Sequence, residues 1–176
     1  HWYCADYDGN VYVVAEHYEA ERDIDYHARR IREISARIGW HTDAKGRLSA
    51  LIDSAATQRT LASAKSVAEL FCERGILVNT RVDKDLFAGI ARVKSYLGGG
   101  GPKLYIFEGC VHLIRELKGY FWGAGDVPKK RDDHALDELR YYLMTKPRSR
   151  PPAAQPSAVA REKERLARRL TRRGMP

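Results

Sequence analysis

The sequence of 176 residues is poor in cysteine and has no long apolar run. Its three cysteines, Cys4, Cys72 and Cys110, lie far apart and lack a second Cys or His at zinc-finger spacing. We therefore expect buried free thiols in a reducing compartment. No segment has the apolar length that a membrane span requires, and the chain opens with strand-like residues rather than a secretion leader. These absences favour a soluble protein that is neither secreted nor membrane-bound.

A phosphate-binding loop of the form Gly-x4-Gly-Lys-Ser/Thr is also absent. The glycines at 98–101 are followed by Pro102 and Lys103, without the Ser or Thr whose hydroxyl would hold a magnesium ion. The segment also does not lead from a strand into a helix. A nucleotide site of this kind is therefore excluded here.

Net positive charge is small outside the end of the chain. Of the net charge of +8, residues 147–176 supply +7, from nine Arg or Lys against two Glu. Residues 147–157 are rich in Pro, Ala and Ser, and residues 159–173 are rich in Arg with little apolar surface to pack. We expect a disordered or conditionally helical basic tail at 147–176, and any electrostatic attraction to nucleic acid rests mainly on it.

Hydrophobic periodicity predicts a hairpin followed by strands that alternate with helices. The residue types of Asp8-Gly9-Asn10 suit a tight turn between two strands. The predicted strands are 1–7, 11–18, 48–52, 76–79 and 104–107, and the predicted helices are 24–38, 66–74, 86–97, 110–120 and 132–144. This order favours a single α/β domain over residues 1–146, a mixed sheet flanked by helices.

Acidic residues that could bind a metal ion or take part in catalysis occur at two places along this pattern. Asp53 follows a short apolar strand, where a carboxylate can project beyond the sheet edge, although a local cap of the next turn is the commoner role. Asp133, His134 and Asp137 open the last helix at spacings that share one face. Acids there also complement the helix dipole, which is sufficient reason for one or two of them.

Carboxylates brought together from separate elements suit Mg²⁺ or Mn²⁺, which prefer oxygen ligands. Two such ions about 4 Å apart can activate water and stabilise the leaving oxygen in phosphodiester hydrolysis. The sequence therefore makes a metal-dependent phosphodiesterase one hypothesis for these residues.

The same residues resemble a known family, the nuclease domain of the large terminase subunit of tailed bacteriophages. The resemblance runs from about residue 6 to residue 144, and its most specific part is the segment DDHALDELRY at 132–141. The other matching positions are Ile52 to Ala56, Lys84, Gly89, Ile90, Ile106, Phe107, Cys110, Leu117 and Tyr120.

This resemblance implies a ribonuclease H-like fold in which three acids hold two Mg²⁺ or Mn²⁺ ions and double-stranded concatemeric DNA is cut during packaging. Asp53 matches the second acid. Asp133 best matches the third, with His134 and Asp137 at nearby positions that serve some relatives as ligands. The first acid lies on a strand that would precede residues 1–7 and is missing here, and neither Asp6 nor Asp8 is placed to replace it.

The resemblance also implies that Lys84, Arg92 and Lys94, in and beside the helix 86–97, face DNA, with the segment 98–107 next to the active site. A solvated helix face is an equal alternative for these cations. Glu16, at the end of the second strand, is either a peripheral ligand or an exposed strand-end charge, and we favour the exposed charge.

The implied partners are double-stranded DNA, a portal protein, a small terminase subunit and an ATPase domain upstream in the parent chain. The implied location is the cytoplasm of an infected bacterial host. Two alternatives stay open. One is a catalytically inactive module of the same fold that binds DNA or the portal, and the other is a ribonuclease H-like resolvase or transposase.

Overall fold

The computed structural model describes residues 1–59, 64–98, 103–123, 128 and 132–145. Its five strands are β1 (Trp2–Ala5), β2 (Val11–Ala15), β3 (Leu48–Leu51), β4 (Ile76–Asn79) and β5 (Leu104–Ile106). Its helices are α1 (Ile24–Arg37), α2 (Val67–Glu73), α3 (Leu86–Leu97), α4 (Val111–Gly119) and α5 (His134–Thr145), with a short 3-10 helix at Ser54–Thr57. The predicted mixed α/β fold is confirmed.

The described strands form two sheets. The larger has the order β1-β2-β5, in which β1 runs antiparallel to β2 and β2 runs parallel to β5. The smaller contains β3 and β4, which are parallel. The sequence pattern predicts one mixed sheet. The structure has two, because no described strand pairs with strands of both. One edge each of β1, of β5 and of both strands in the smaller sheet is therefore left without a described partner strand.

The hairpin between β1 and β2 is closed by its own side chains. Gly9 has a φ of 85°, in the left-handed region where glycine is favoured. The Asp6 carboxylate accepts hydrogen bonds from the backbone N of Asn10 at 2.8 Å and from its side-chain amide at 2.7 Å. Asp6 is thus engaged in the turn, in keeping with the expectation that it does not join the other acids.

Each sheet has its own apolar core. The larger sheet packs against α3, α4 and α5 through a cluster that contains Val11, Val13, Leu104, Leu113, Leu136, Leu139 and Leu143. The smaller sheet packs against α1 and α2 through Ala28, Leu48, Phe71 and Ile76. Helix α5 lies on the first of these cores, so the acids at its beginning are held by a well-buried element.

Helix boundaries follow the local signals in the sequence. Asp23 caps α1, as predicted, by accepting from the backbone N of Tyr26 at 2.7 Å. Ser66 and Glu69 form a reciprocal capping box at the start of α2. Gly75 follows that helix with a φ of 72°, the expected left-handed stop.

The prediction of buried thiols is wrong for two of the three cysteines. All three are free, but only Cys110 is buried, and Cys4 and Cys72 are exposed. Cys4 follows Tyr3, which packs on the larger core, so alternation along β1 turns Cys4 to the other face. Cys72 follows the buried Phe71 and lies about 100° further around α2.

The last helix begins at His134 rather than at Asp132, which has a positive φ of 50° that interrupts the helical backbone. The predicted tail, 147–176, and part of the segment 98–107 lie outside the described residues. Within the part of the chain that the structure describes, no helix is both long and apolar enough to cross a membrane.

Candidate acidic site

Asp53 lies immediately beyond β3 and makes two kinds of contact. Its carboxylate accepts from the backbone N of Ala55 at 2.6 Å, which caps the short 3-10 helix. The same oxygen is 2.7 Å from Nζ of Lys84, a residue of the loop between β4 and α3. The local cap expected from the sequence is therefore present, and a cation from a separate element is added to it.

The pKa of Asp53 is lowered below its usual value. Partial burial acts to raise it, but this is outweighed by the hydrogen bonds from Lys84 and the Ala55 backbone, the charge of Lys84 and a hydrogen-bond interaction with Tyr141. The carboxylate is thus held ionised over the physiological range. An ionised oxygen at this place can accept further from a cation or from a donor on a ligand.

Tyr141 connects Asp53 with α5. Burial raises the pKa of Tyr141 to about 12, together with the charges of Asp137 and Asp53 and a hydrogen-bond interaction with Asp53. Asp137 and Tyr141 are four residues apart on α5, so they share one face of that helix. The charges of two carboxylates, one beyond β3 and one in the first turns of α5, therefore act on one phenol.

Asp137 is also paired with a buried arginine. Arg140 is 6% exposed, and its Nη2 donates to the Asp137 carboxylate. Its Nε and Nη1 are buried and make no hydrogen bond within the described part of the chain. Gly89 of α3 gives the arginine its space, because a Cβ at Gly89 would lie 3.1 Å from the Cδ of Arg140. Close packing of α3 on α5 thus fixes the cation beside Asp137.

The three candidate ligands of the last helix take different positions. Asp133 precedes the helix, its carbonyl accepts from the backbone N of Asp137 at 2.8 Å, and its charge acts on Tyr120. His134 is exposed at the first position of α5. Of the three, Asp137 is the one whose charge acts on Tyr141. The charges of Asp133 and Asp137 therefore both act on Tyr120, and that of Asp137 acts also on Tyr141, together with that of Asp53.

The predicted basic residues are all exposed but do not form one row. Lys84 is paired with Asp53, the guanidinium of Arg92 lies 5.2 Å from the ring centre of Tyr96, and Nζ of Lys94 lies 5.6 Å from that of Trp122. Arg92 and Lys94 are two positions apart in α3, which turns them to different sides of the helix. Of these three residues, Lys84 is thus the one that contacts the acidic site.

The side chain of Glu16 is largely shielded from solvent, so its interpretation as an exposed strand-end charge is wrong. Its side chain is 5% exposed and accepts from the backbone N of His112 at 2.8 Å and of Leu113 at 3.1 Å. It also pairs with Nδ1 of His112 at 2.8 Å and Nε2 of His1 at 3.2 Å. Burial acts to raise the pKa of Glu16, but these hydrogen bonds lower it overall. Glu16 caps α4.

Glu116 is a structural acid that the sequence analysis missed. It is 3% exposed in α4, and it accepts from the backbone N of Ala135 at 2.8 Å and of Leu136 at 3.2 Å. The hydroxyl of Tyr18 donates to it at 2.9 Å. One signal was available, since Glu116 stands three residues after Leu113 on the apolar side of a helix. An acid at such a position indicates a buried partner.

Taken together, the fold and the site define a mixed α/β protein with a pair of carboxylates, from a strand end and a helix start, beside cationic side chains. No family model matches the chain, and no curated protein does so either. Among solved structures, the chain is similar to the large terminase of the thermophilic bacteriophage D6E, determined in complex with ADP.

That likeness has a TM-score of 0.60 at 22% sequence identity and covers 80% of this chain and 34% of the terminase. At this identity the comparison establishes a shared fold. The chain thus has the α/β fold of part of a phage large terminase and spans about a third of the length of that protein.

Proposed function

We propose that this chain is the nuclease part of a viral DNA-packaging terminase, an endonuclease that cuts double-stranded concatemeric DNA. The observation that carries the proposal is the ionised carboxylate of Asp53 beyond the parallel strand β3, with Nζ of Lys84 2.7 Å away; the charges of Asp53 and of Asp137 on α5 both act on Tyr141. Carboxylates from distant parts of the sequence, gathered at the end of a parallel strand, are the donors that a hydrolytic Mg²⁺ or Mn²⁺ site uses. The resemblance of the sequence and the terminase fold support the same function.

The described residues do not complete a site for two ions. No group of three His, Cys, Asp or Glu side chains within the described ranges is arranged to hold a metal ion. Asp53 has Lys84 against it, and Asp137 has Arg140. The donors are of the right chemical kind, but two carboxylates paired with cations fall short of the set that phosphodiester hydrolysis by two ions needs.

The proposal therefore includes a further acid on a strand that precedes β1. The free edges described above give such a strand a place, because pairing with β1 on one side and with the smaller sheet on the other would join the two sheets into one. A carboxylate on that strand would then lie between the two groups of strands. This is the position that the family resemblance gives to the missing first acid.

Within the acid pair, we assign the third acid to Asp137 rather than to Asp133, which the sequence resemblance ranks first. The charges of Asp137 and Asp53 both act on Tyr141, whereas Asp133 acts, with Asp137, on Tyr120. His134 is exposed beside them and remains a candidate peripheral ligand. The paired cations fit the proposed substrate, since Lys84 can turn from Asp53 to a DNA phosphate when an ion neutralises the acid.

The nucleotide of the D6E terminase gives no second function to this chain. That protein was determined with ADP, but this chain spans only 34% of it and contains no Gly-x4-Gly-Lys-Ser/Thr loop. We assign ATP hydrolysis to an upstream domain of the parent protein. Its proposed partners are DNA, the portal protein and the small terminase subunit, in the cytoplasm of an infected bacterium.

Nicking of supercoiled plasmid in Mn²⁺ tests the proposal. Three proteins are compared: this chain, the same chain extended upstream through the proposed strand, and the extended chain with Asp53→Asn. Cleavage by the extended form that Asp53→Asn abolishes would support both the function and the missing acid. Cleavage that persists in Asp53→Asn would refute the site.

A second candidate function is a DNA- or portal-binding module of the same fold without catalysis. The pairing of Asp53 with Lys84 at 2.7 Å favours it, because an internal cation already neutralises the acid. This candidate predicts that the extended form binds DNA but does not nick it in Mn²⁺. A cellular resolvase or transposase would instead cut branched junctions in preference to linear duplex.

A further inference from the structure

The larger sheet has aromatic side chains on the face that points away from its core. Cys4, Tyr12 and Tyr105 are direct neighbours across β1, β2 and β5, so their side chains lie on one face. The rings of Tyr12 and Tyr105 stack with their centres 5.1 Å apart. Phe107 lies two positions after Tyr105 and extends the ladder by donating its backbone N–H to the Val13 carbonyl, so its side chain joins the same face. We call these four residues the aromatic face.

Helix α1 covers only one end of this side of the sheet. Trp2, two positions before Cys4, is 7% exposed, and its indole N–H donates to Oγ of Ser35 in α1 at 2.9 Å. Helices α3, α4 and α5 pack on the opposite side, against the larger core. Cys4 is exposed, and Tyr105 and Phe107 are 42% and 52% exposed. The described part of the chain therefore leaves the aromatic face open to solvent.

The surroundings of the aromatic face are acidic. The strands that form it and the residues that flank them carry three acids and one lysine, namely Asp6, Asp8, Glu108 and Lys103. Two of these acids lie in the hairpin turn at one end, and the third directly follows Phe107 at the other end. A guanidinium group stacks on aromatic rings and pairs with carboxylates. The face therefore suits a partner that is rich in arginine.

The chain itself contains such a segment. The basic tail, residues 147–176, has eight arginines and one lysine against two glutamates. Helix α5, which precedes it, runs beside β1 in the same direction, since Glu138 lies 2.7 Å from Nδ1 of His1 and Tyr142 stacks on Tyr3 with ring centres 4.1 Å apart. The helix therefore ends toward the hairpin turn. Ten extended residues span about 33 Å, so the tail is long enough to reach the whole aromatic face.

We propose that the basic tail docks on the aromatic face of its own domain, with its arginines on the exposed rings and against the acids beside them. Each contact of this kind is weak at an exposed site, so several together hold the tail. A polyanion such as duplex DNA competes for the same arginines and releases it. The inference does not depend on the proposed nuclease function, because it assigns a partner to this face whether or not the chain cuts DNA.

A paramagnetic label in the tail tests the proposal on the full chain. A nitroxide is attached at Ser157→Cys, after the two exposed thiols are removed by Cys4→Ser and Cys72→Ser. The remaining cysteine, Cys110, is buried. The label broadens NMR signals only of amides that it approaches, so the broadened amides map where the tail lies.

The amides of Tyr12, Tyr105 and Phe107 should lose most of their intensity. Those of Leu48 and Ile76, in the smaller sheet, should keep theirs. About 1 M NaCl shortens the Debye length to about 3 Å and should restore the broadened signals, because the docking is largely electrostatic. Uniform broadening, or none on the aromatic face, would overturn the proposal.

Two exposed phenylalanines give a matched pair of variants. Phe107→Ser removes a ring from the aromatic face and should weaken the broadening at Tyr105. Phe87→Ser removes an equally exposed ring from α3, at 56% exposure, and should leave the broadening unchanged. Asp8→Asn combined with Glu108→Gln should weaken it as Phe107→Ser does. Equal broadening in the two phenylalanine variants would refute this face as the docking site.

A mixed sample identifies the chain that supplies the tail. Labelled protein without ¹⁵N is mixed with unlabelled protein that carries ¹⁵N, so any broadening comes from a second copy. Strong broadening in this mixture would overturn docking within one chain. Added duplex DNA should restore the signals of the singly labelled protein, and broadening that persists with DNA bound would contradict the release. None of these measurements uses DNA cleavage, so the proposed nuclease stands or falls separately.

Discussion

Nζ of Lys84 lies 2.7 Å from the Asp53 carboxylate, so the candidate site contains its own counter-ion. Both side chains are more than a third exposed, and the free energy of such a pair is therefore small. The pairing nonetheless affects how a metal ion can bind to Asp53. A divalent cation at Asp53 must displace the lysine or bind beside it.

We predict that Lys84→Gln raises the pKa of Asp53 and strengthens Mn²⁺ binding by about twofold to fivefold, the equivalent of one exposed ion pair. The lysine now lowers that pKa through a hydrogen bond and its charge. The carboxyl pKa is measured by ¹³C NMR and the affinity by calorimetry, with Lys94→Gln as the exposed control that does not touch an acid. Weaker Mn²⁺ binding in Lys84→Gln would contradict the competition.

The assignment of Asp137 over Asp133 can be measured without substrate. We predict that Asp137→Asn and Asp53→Asn each lower the pKa of Tyr141 from about 12, because each removes a negative charge beside the phenol. Asp133→Asn should leave Tyr141 unchanged and act on Tyr120 instead. Titration of labelled tyrosines decides between them, and a larger effect of Asp133→Asn at Tyr141 would restore Asp133 as the third acid.

Glu16 should contribute to stability in a pH-dependent way. Its pKa is lowered in the folded protein, so its contribution is present above the ordinary value of 4.5 and is lost as pH falls through the folded value. We predict that Glu16→Gln costs about 1–3 kcal/mol of unfolding free energy at pH 7, typical of a buried charged hydrogen-bond partner. Urea unfolding at several pH values should show the deficit shrinking in acid.

The matched control for Glu16 is Glu33→Gln on α1. Glu33 is 48% exposed and pairs with Arg30 on the surface, so its loss should cost under about 1 kcal/mol. Equal losses in the two variants would argue against the burial of Glu16.

Gly89 should resist substitution because of Arg140. A Cβ there would lie 3.1 Å from Cδ and 3.3 Å from Nη1 of Arg140. This arginine is buried and paired with Asp137, so its side chain cannot move away easily. We predict that Gly89→Ala destabilises the protein by about 1–3 kcal/mol, as overpacking does. Gly119→Ala, with nothing within 4 Å, should stabilise α4 by about 0.5–1 kcal/mol. Denaturant unfolding of both variants checks the contrast in sign.

The basic tail gives a prediction from sequence alone. Removal of residues 147–176 deletes nine Arg or Lys. We predict weaker DNA binding and a flatter dependence of the affinity on salt, because fewer counterions are released. Fluorescence anisotropy over a range of salt concentrations measures both, and an unchanged slope would point to a tail that docks on a protein partner.

Local signals in the sequence determined much of the secondary structure. The strand at 76–79 and the helix at 86–97 were predicted to the residue, since both are short apolar patterns bounded by clear breakers. Asp23 and Gly75 were identified as cap and stop because their chemistry acts on the adjacent turn. The mixed α/β class followed from the order of these elements.

The tertiary structure alone decided which acids matter to one another. Asp137 and Asp133 are equivalent in helical spacing, and only the tertiary placement of α5 distinguishes them, since the charge of Asp137 acts on Tyr141 together with that of Asp53. The sequence suggests that Glu16 is a surface charge, but in the structure it caps α4. Glu116 can act as a cap only because α5 begins beside it. Local sequence patterns indicate how a residue affects the turn of backbone in which it lies. Partners far apart in sequence are set by packing, which no short window of sequence contains.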